Sequence, residues 1–280
     1  MASRSFRLQT LKPVSDVQSY VDRVFQLKEE FSQTCWYRGQ SNSKTHRLIP
    51  TIGREQSYCG KSSNFNLRQE RNLLHRFRRR VFPHVGRILN EWEALMLARH
   101  HYLPTRLLDW TRSPMAALYF AATTDQSENG DVWAIGRIST EAHDLDLLDL
   151  ASPSSNQKGP LTFFGAPKPE PTGAKATRDA VKILHPFYNS PRLVAQDGVF
   201  TLHSRPTRPL DSYAGVRFQE GHLDVAAMFR IPIRGDFKAS IVKQLDMLAI
   251  HQMSLFPDLD GIAAHLWQVE TLWTEKMAHK

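Results

Sequence analysis

Apolar positions recur along this chain with two periods, and each period marks a different kind of element. Over residues 14–31, Val17, Tyr20, Val21, Val24, Phe25 and Leu27 fall at helical spacing behind Pro13 and Ser15, which predicts an amphipathic helix. Cys35-Trp36-Tyr37-Arg38-Gly39-Gln40 reads as a short strand ending at a glycine, and the polar residues 41–64 as an irregular loop. A helix over 66–81 puts Leu67, Leu73, Leu74, Phe77 and Val81 on one side and most of its arginines on the other. Asn90 and Glu93 form a capping-box pair opening a helix through Trp92, Leu95, Met96 and Ala98, which stops before Pro104.

The most apolar stretch is Met115-Ala116-Ala117-Leu118-Tyr119-Phe120-Ala121-Ala122. It is apolar on every side, the mark of a buried helix. Ser113-Pro114 is its start signal, with the hydroxyl as N-cap and proline in the first turn. The polar groups just ahead of it, His100, Thr105, Arg106 and Asp109, are thereby carried to the edge of the interior. Charge placed there must be paired and hydrogen-bonded. Arg106 and Asp109, three apart around a turn, either clamp each other and nearby backbone or line a ligand cleft. Glu70 raises the same question because it falls inside the apolar stripe of its helix; Arg38 and Arg106 are its candidate partners.

In the second half, Val132-Trp133-Ala134-Ile135 follows a polar turn over 125–131 and reads as a strand. Leu193-Val194 and Val199-Phe200-Thr201-Leu202 read as strand segments flanking Gln196-Asp197-Gly198. Phe229-Arg230-Ile231-Pro232-Ile233 reads as an edge strand, because proline has no N–H to give a neighbour. Helices return around 241–250 and 259–273, and residues 151–180 have the Ser, Pro, Lys, Gly and Thr composition of a flexible insertion. Helices outnumber scattered strands and nothing repeats. The expectation is α+β: a single compact domain whose short strands form a mixed or antiparallel sheet packed by helices.

With 280 residues, 41% hydrophobic and 23% charged, the composition is that of a globular protein. The formal charge of +8 rests largely on arginines, among them Arg68, Arg71, Arg76, Arg78, Arg79, Arg80 and Arg87. It favours an anionic partner, a nucleotide or nucleic acid, with Arg78, Arg79 and Arg80 as the candidate nucleic-acid surface. Cys35 and Cys59 lack metal-type spacing and argue against a disulfide scaffold. With no apolar leader and no run long enough to span a bilayer, the expectation is a cytoplasmic protein without a membrane partner. Walker loops, GxSxG elbows and HExxH patterns are missing, which removes simple ATPases, α/β-hydrolases and zinc peptidases. Adjacent His100 and His101 diverge by about 100° on a helix, so no metal site is expected.

Four stretches carry a family resemblance. They are Tyr37-Arg38-Gly39, the block from His100 through Leu103-Pro104-Thr105-Arg106-Leu107-Leu108-Asp109-Trp110-Thr111 to Ala122, the turn with Gln196, Gly198 and Phe200, and Leu255-Phe256-Pro257-Asp258. Together they resemble the FRG domain, named for its aromatic-Arg-Gly motif, with a core over about 32–270 of a single unit spanning 1–280. The family usually has glycine where this chain has Tyr102, a side chain expected to narrow the approach to Thr105. The resemblance implies an association with bacterial and phage conflict and no set reaction.

The order of these motifs is also similar to that of ADP-ribosyltransferases. That similarity implies that Arg38 holds a dinucleotide phosphate, that Gly39 lets the ligand approach the backbone, and that Gln196 stands where those enzymes carry glutamate. Gln196 can hydrogen-bond a ribose but cannot supply the charge that stabilises an oxocarbenium-like transition state. His100 is a candidate general base, since histidine titrates near neutrality. Glu70, Thr105, Arg106 and Asp109 complete the candidate cleft, and Trp110 or Tyr119 would pack on a ring. The leading expectation is therefore a nucleotide- or anion-binding cleft that consumes NAD as a substrate and needs no cofactor. The alternatives are a non-enzymatic nucleic-acid-binding module, or a metal-independent nuclease using His100 and Arg106 on a phosphodiester.

Overall fold

Strands from both halves of the chain meet in one sheet with helices on its face. The computed structural model describes residues 7–30, 35–58, 61–63, 67–136, 147–149, 181–186, 190–213 and 227–278. In chain order the elements are β1 (Arg7–Thr10), α1 (Val17–Glu30), β2 (Cys35–Gln40), β3 (Gln56–Tyr58), β4 (Lys61–Ser63), α2 (Leu67–Val85) and α3 (Glu91–His100). There follow β5 (Leu107–Thr111), α4 (Pro114–Ala122), β6 (Gly130–Gly136), β7 (Leu147–Asp149), β8 (Val181–His185) and α5 (Pro191–Ala195). The last are β9 (Gly198–His203), β10 (Ala227–Ile233), α6 (Gly235–Met247), α7 (Gln252–Leu255) and α8 (Leu259–Ala278). The fold is α+β, with an eight-stranded sheet in the order β1-β10-β6-β2-β5-β9-β8-β7. Most pairs are antiparallel; β1 with β10 and β7 with β8 are parallel.

Several expectations are corrected here. Residues 107–111 form a strand, so Arg106 and Asp109 do not face each other around a turn. Their apolar neighbours gave no helix or strand period, and the pairing partner β9 lies some ninety residues downstream. Leu193-Val194 belongs to a short helix begun by Ser190 and Pro191, the same hydroxyl-then-proline signal that begins α4. The segment 41–64 contains a 3-10 turn, Thr51–Gly53, and the β3–β4 hairpin. Strand β10 lies between β1 and β6, not at an edge. Pro232 is tolerated there because the β1 ladder ends at Arg230, and the isolated Val14–Ile233 bridge beyond it uses the Pro232 carbonyl, which accepts from the Val14 amide at 3.0 Å. The insertion at 151–180 and Cys59 lie outside the described residues.

The defining irregularity of the sheet lies at its centre. Strands β2 and β5 pair at a single position, Tyr37 opposite Thr111, whereas β2 runs fully alongside β6, and β5 alongside β9. The sheet is split. On one side, α1, α4 and α6 bury Tyr37, Val132, Ala134, Phe229 and Ile231. On the other, α2 and α3 bury Leu107, Leu184, Phe200 and Leu202. A third cluster, with Trp36, Trp110 and Trp133 at its centre, covers the opposite face of the strands.

Two contacts fix the edges of the split. Gly39 presses against α4 so closely that a Cβ would stand 2.0 Å from the Ala117 carbonyl oxygen and 2.7 Å from the Ala121 nitrogen. Its missing side chain thus serves helix-on-strand packing, where the expectation was room for a ligand. Lys238, fully buried, reaches the loop after β2, donating to the carbonyls of Ser41, Thr124 and Asp125, the last two at 3.3 and 3.1 Å. Among the described residues, no helix is long and apolar enough to cross a membrane.

Gly39→Ala forces backbone to move and is expected to destabilise the protein by about 3 kcal/mol, the upper end for overpacking. Gly86→Ala, at a left-handed residue with open space around it, is expected to lose only about 1 kcal/mol. Urea midpoints of the two variants check this; similar losses would mean that Gly39 is not a packing constraint.

Candidate functional site

The split opens into a cavity of about 320 Å³, at the small end of the range for small-molecule sites. Its wall takes residues from β2, β5, β9, α3, α5 and the loop holding His46 and Arg54. Of the sequence-derived candidates, Arg38, Gly39, His100, Asp109, Trp110 and Gln196 meet on this wall. Glu70, Thr105, Arg106 and Tyr119 are not part of it.

Arg38 bridges the split. Its Nη1 donates to the Asp109 carbonyl oxygen at 2.6 Å and lies 3.7 Å from the Asp109 carboxylate. Burial pulls this guanidinium down to about 10, with Asp109 opposing and Arg54 and Arg99 adding to the fall. Asp109 is held chiefly from the other side. Arg99, in the last turn of α3, donates from Nε at 2.9 Å and also from Nη2, while its Nη1 reaches Thr51 Oγ1 at 3.0 Å. Burial works to raise the Asp109 pKa, but the charge and hydrogen bonds of Arg99, joined by Arg38, outweigh it and hold the carboxyl at about 2. Asp109 is therefore an anion at every physiological pH.

Two further guanidiniums, Arg54 and Arg192, bring the arginines on the cavity wall to four, with Asp109 its one carboxylate. Arg54 Nε donates to the Ile49 carbonyl at 3.0 Å. Arg192 Nη1 donates to the Tyr102 hydroxyl at 2.8 Å, and its guanidinium lies over the Phe256 ring at 4.3 Å. Tyr102 takes φ of 61°, the left-handed conformation that favours glycine. Tyr102 stands at the cavity mouth, and Thr105, whose approach it was expected to narrow, is buried elsewhere with Oγ1 accepting from the Leu107 amide at 3.4 Å.

His100 lies at the Arg192 end, where burial, then His101 and Arg192, lower its pKa against the pull of Asp258. The shift favours its neutral form. His46, at the Arg38 end, is lowered by burial and by Arg54, Arg38 and Lys238, with Asp125 opposing. Gln196 caps α5, and its Nε2 donates to the Leu255 carbonyl at 3.0 Å, leaving its side-chain oxygen as the group still open to a ligand.

The remaining candidates hold the fold. Glu70 and Arg106 form a buried pair, with Arg106 Nε 2.9 Å from both carboxylate oxygens and Nη2 on Oε2. The anion that Arg106 needs is this carboxylate, one of the two partners expected for Glu70. Trp110 donates its indole N–H to Thr201 Oγ1 at 2.9 Å. Tyr119 donates to Gln252 Oε1 at 2.8 Å, and burial lifts its phenol to about 12. Arg78 donates to the Leu89 carbonyl through Nε and Nη2 at 3.1 and 2.7 Å, while Arg79 and Arg80 are exposed.

Reasoning from sequence missed Arg54, Arg99, Arg192, His46 and Gln40. Only Arg99 left a signal, as the cation beside His100 on the helix leading into Asp109.

Among the described residues one cluster has metal-ligand types close together. Asp246, His251 and His265 bring ligand atoms within 4.8 Å of one another. The two imidazoles stack at 4.1 Å and 20°, however, so their in-plane lone pairs do not converge, and His251 Nδ1 accepts from the Ser254 amide at 3.2 Å.

The sequence model of the FRG domain matches residues 33–130, which hold β2, α2, α3, β5 and α4 and with them most of the cavity wall. No curated protein and no solved structure matches the chain.

Behind Trp110, Thr201 accepts from the indole and so has its own hydroxyl proton left for His203 Nε2, 2.9 Å away. A neutral imidazole accepts that bond at Nε2. Burial, then Arg38 and Arg106, push His203 down to about 3 from an ordinary value near 6.5. The unfolded chain therefore takes the proton first, and the stability from a neutral His203 is complete above about pH 6.5 and lost as pH falls towards 3. Urea midpoints should fall with acidification below that point, and His203→Gln should fall less steeply. Equal slopes would refute the role given to His203.

Proposed function

We propose, for a chain whose residues 33–130 are an FRG domain, that the cavity in the sheet split binds a phosphate-bearing nucleotide. The observation that carries this reading is the charge of the wall: Arg38, Arg54, Arg99 and Arg192 against the single carboxylate of Asp109. Arginine forks make paired, charge-assisted hydrogen bonds to phosphate, and a recessed site strengthens them by excluding water. The enclosed volume suits a mononucleotide or one half of a dinucleotide.

The enzymatic form of this reading is ADP-ribosyl transfer from NAD. Arg38 and Arg54 hold the diphosphate, and the free oxygen of Gln196 accepts from a ribose hydroxyl. Nicotinamide leaves with the electron pair of its glycosidic bond as an acceptor oxygen bonds to the ribose carbon. The acceptor proton passes to neutral His100. Among the described residues no glutamate lines the cavity, and the charge of Asp109 is already shared by Arg99 and Arg38. Binding is therefore better supported than turnover.

A second reading, binding of a nucleic-acid backbone, draws on α2, where Arg71, Arg76, Arg79 and Arg80 are all exposed.

Calorimetry separates these readings. The wild type should bind ADP-ribose far more tightly than uncharged adenosine, and Arg54→Ala should weaken ADP-ribose about tenfold or more, the loss expected for a hydrogen bond to a charged group. Nicotinamide release from NAD by the wild type, absent in Arg38→Ala of verified fold, would add the transfer step. Equal affinity for ADP-ribose and adenosine overturns the nucleotide reading. Nucleic-acid binding lost on neutralising Arg79 and Arg80 would favour the second.

A further inference from the structure

Two buried donors on β2 belong to residues that line the cavity and have no acceptor among the described residues. Arg38 and Gln40 are two apart on the strand, so their side chains share a face. Both line the cavity. Arg38 spends Nη1 on the Asp109 carbonyl, but its Nε is buried and lacks an acceptor. Gln40 is 4% exposed; its Oε1 accepts from the Trp133 indole at 2.9 Å, and its Nε2 is buried without a partner.

The orientation of that amide is fixed. An indole N–H can only donate, so the amide atom facing Trp133 must be the oxygen, and the NH2 group must point away from it. Trp133 sits directly opposite Arg38 in the β2–β6 ladder, which puts the orienting ring beside the guanidinium. Buried donors without acceptors are costly, and native structures rarely retain them without a use. Two of them side by side on a cavity wall call for a group made only of acceptors.

We infer that Arg38 Nε and Gln40 Nε2 form a phosphoryl subsite, in which Gln40 binds the ligand directly and Trp133 is the residue that positions it. The inference rests on the nucleotide reading and makes it specific. The phosphoryl group lies at the β2 end of the cavity near Arg54, and the rest of the ligand extends towards Tyr102 and Arg192. A tetrahedral oxyanion meets both donors, whereas a nucleoside without phosphate has nothing to offer them.

Gln40→Glu tests this most selectively, because it keeps an oxygen for Trp133 and replaces the donor with a second acceptor. Gln40→Met, which removes both, is a second variant should the buried carboxylate perturb folding. Inorganic pyrophosphate and ADP-ribose serve as calorimetric probes, with thermal unfolding run alongside. Gln40→Glu is expected to bind pyrophosphate and ADP-ribose at least tenfold more weakly, and Gln40→Met about tenfold. Trp133→Phe, which frees the amide to rotate, should weaken pyrophosphate with no change in the weak binding of adenosine, a split that general loosening of the core would not give. Wild-type affinity in both Gln40 variants overturns the subsite and leaves the nucleotide reading standing. If the wild type binds neither probe, the nucleotide reading falls and the subsite with it.

Discussion

One residue, Asp109, ties the two halves of this sheet together through its backbone carbonyl and its carboxylate. Strands β2 and β5 share a single residue pair, and past it the work of a ladder passes to side chains. Arg38 crosses from β2 to the Asp109 backbone and carboxylate, and Arg99 reaches the same carboxylate from α3. Without Asp109, two guanidiniums would face each other across a partly dry gap. With it, each helical layer stays anchored to its own strands while a cavity remains open between them. The structural tie and the charge of the cavity are thus one feature.

The chain makes the same kind of pair twice, with different consequences. Glu70 and Arg106 are both almost wholly buried, with side-chain exposures of 2% and 4%, and their side chains hydrogen-bond to each other. Such a pair locks α2 to the start of β5 and has no surface left for a ligand. The Asp109 side chain is 40% exposed, and it shares its wall with Arg54 and Arg192. Equal chemistry at unequal depth gives a clamp in one place and a binding surface in the other. Burial, more than residue type, separates the candidates that line the cavity from those that do not.

Much of the fold was legible because its signals are local. The Ser113-Pro114 start, the Asn90 capping box and the aromatic-Arg-Gly strand each occupy a few adjacent residues, and each appears where expected. The odd carboxylate in α2 pointed correctly to a buried cation. The misses have a common physical cause, since β5 and the full set of arginines are defined by partners far away in sequence. Arg38, Arg54, Arg99 and Arg192 come from a strand, a loop, a helix end and a short helix, and no spacing rule joins them. Tyr102 shows the reverse case, in which the expectation of glycine acquired a physical reason, a left-handed backbone, only in three dimensions.

The most direct measurement is a crystal structure of the protein grown with ADP-ribose. The diphosphate is predicted to lie in the split, with its oxygens within hydrogen-bond distance of Arg38 Nε, Gln40 Nε2 and Arg54. Density for the ligand on the exposed arginines of α2, with the split left to water, would contradict the central claim that the gap between β2 and β5 is built to receive an anion.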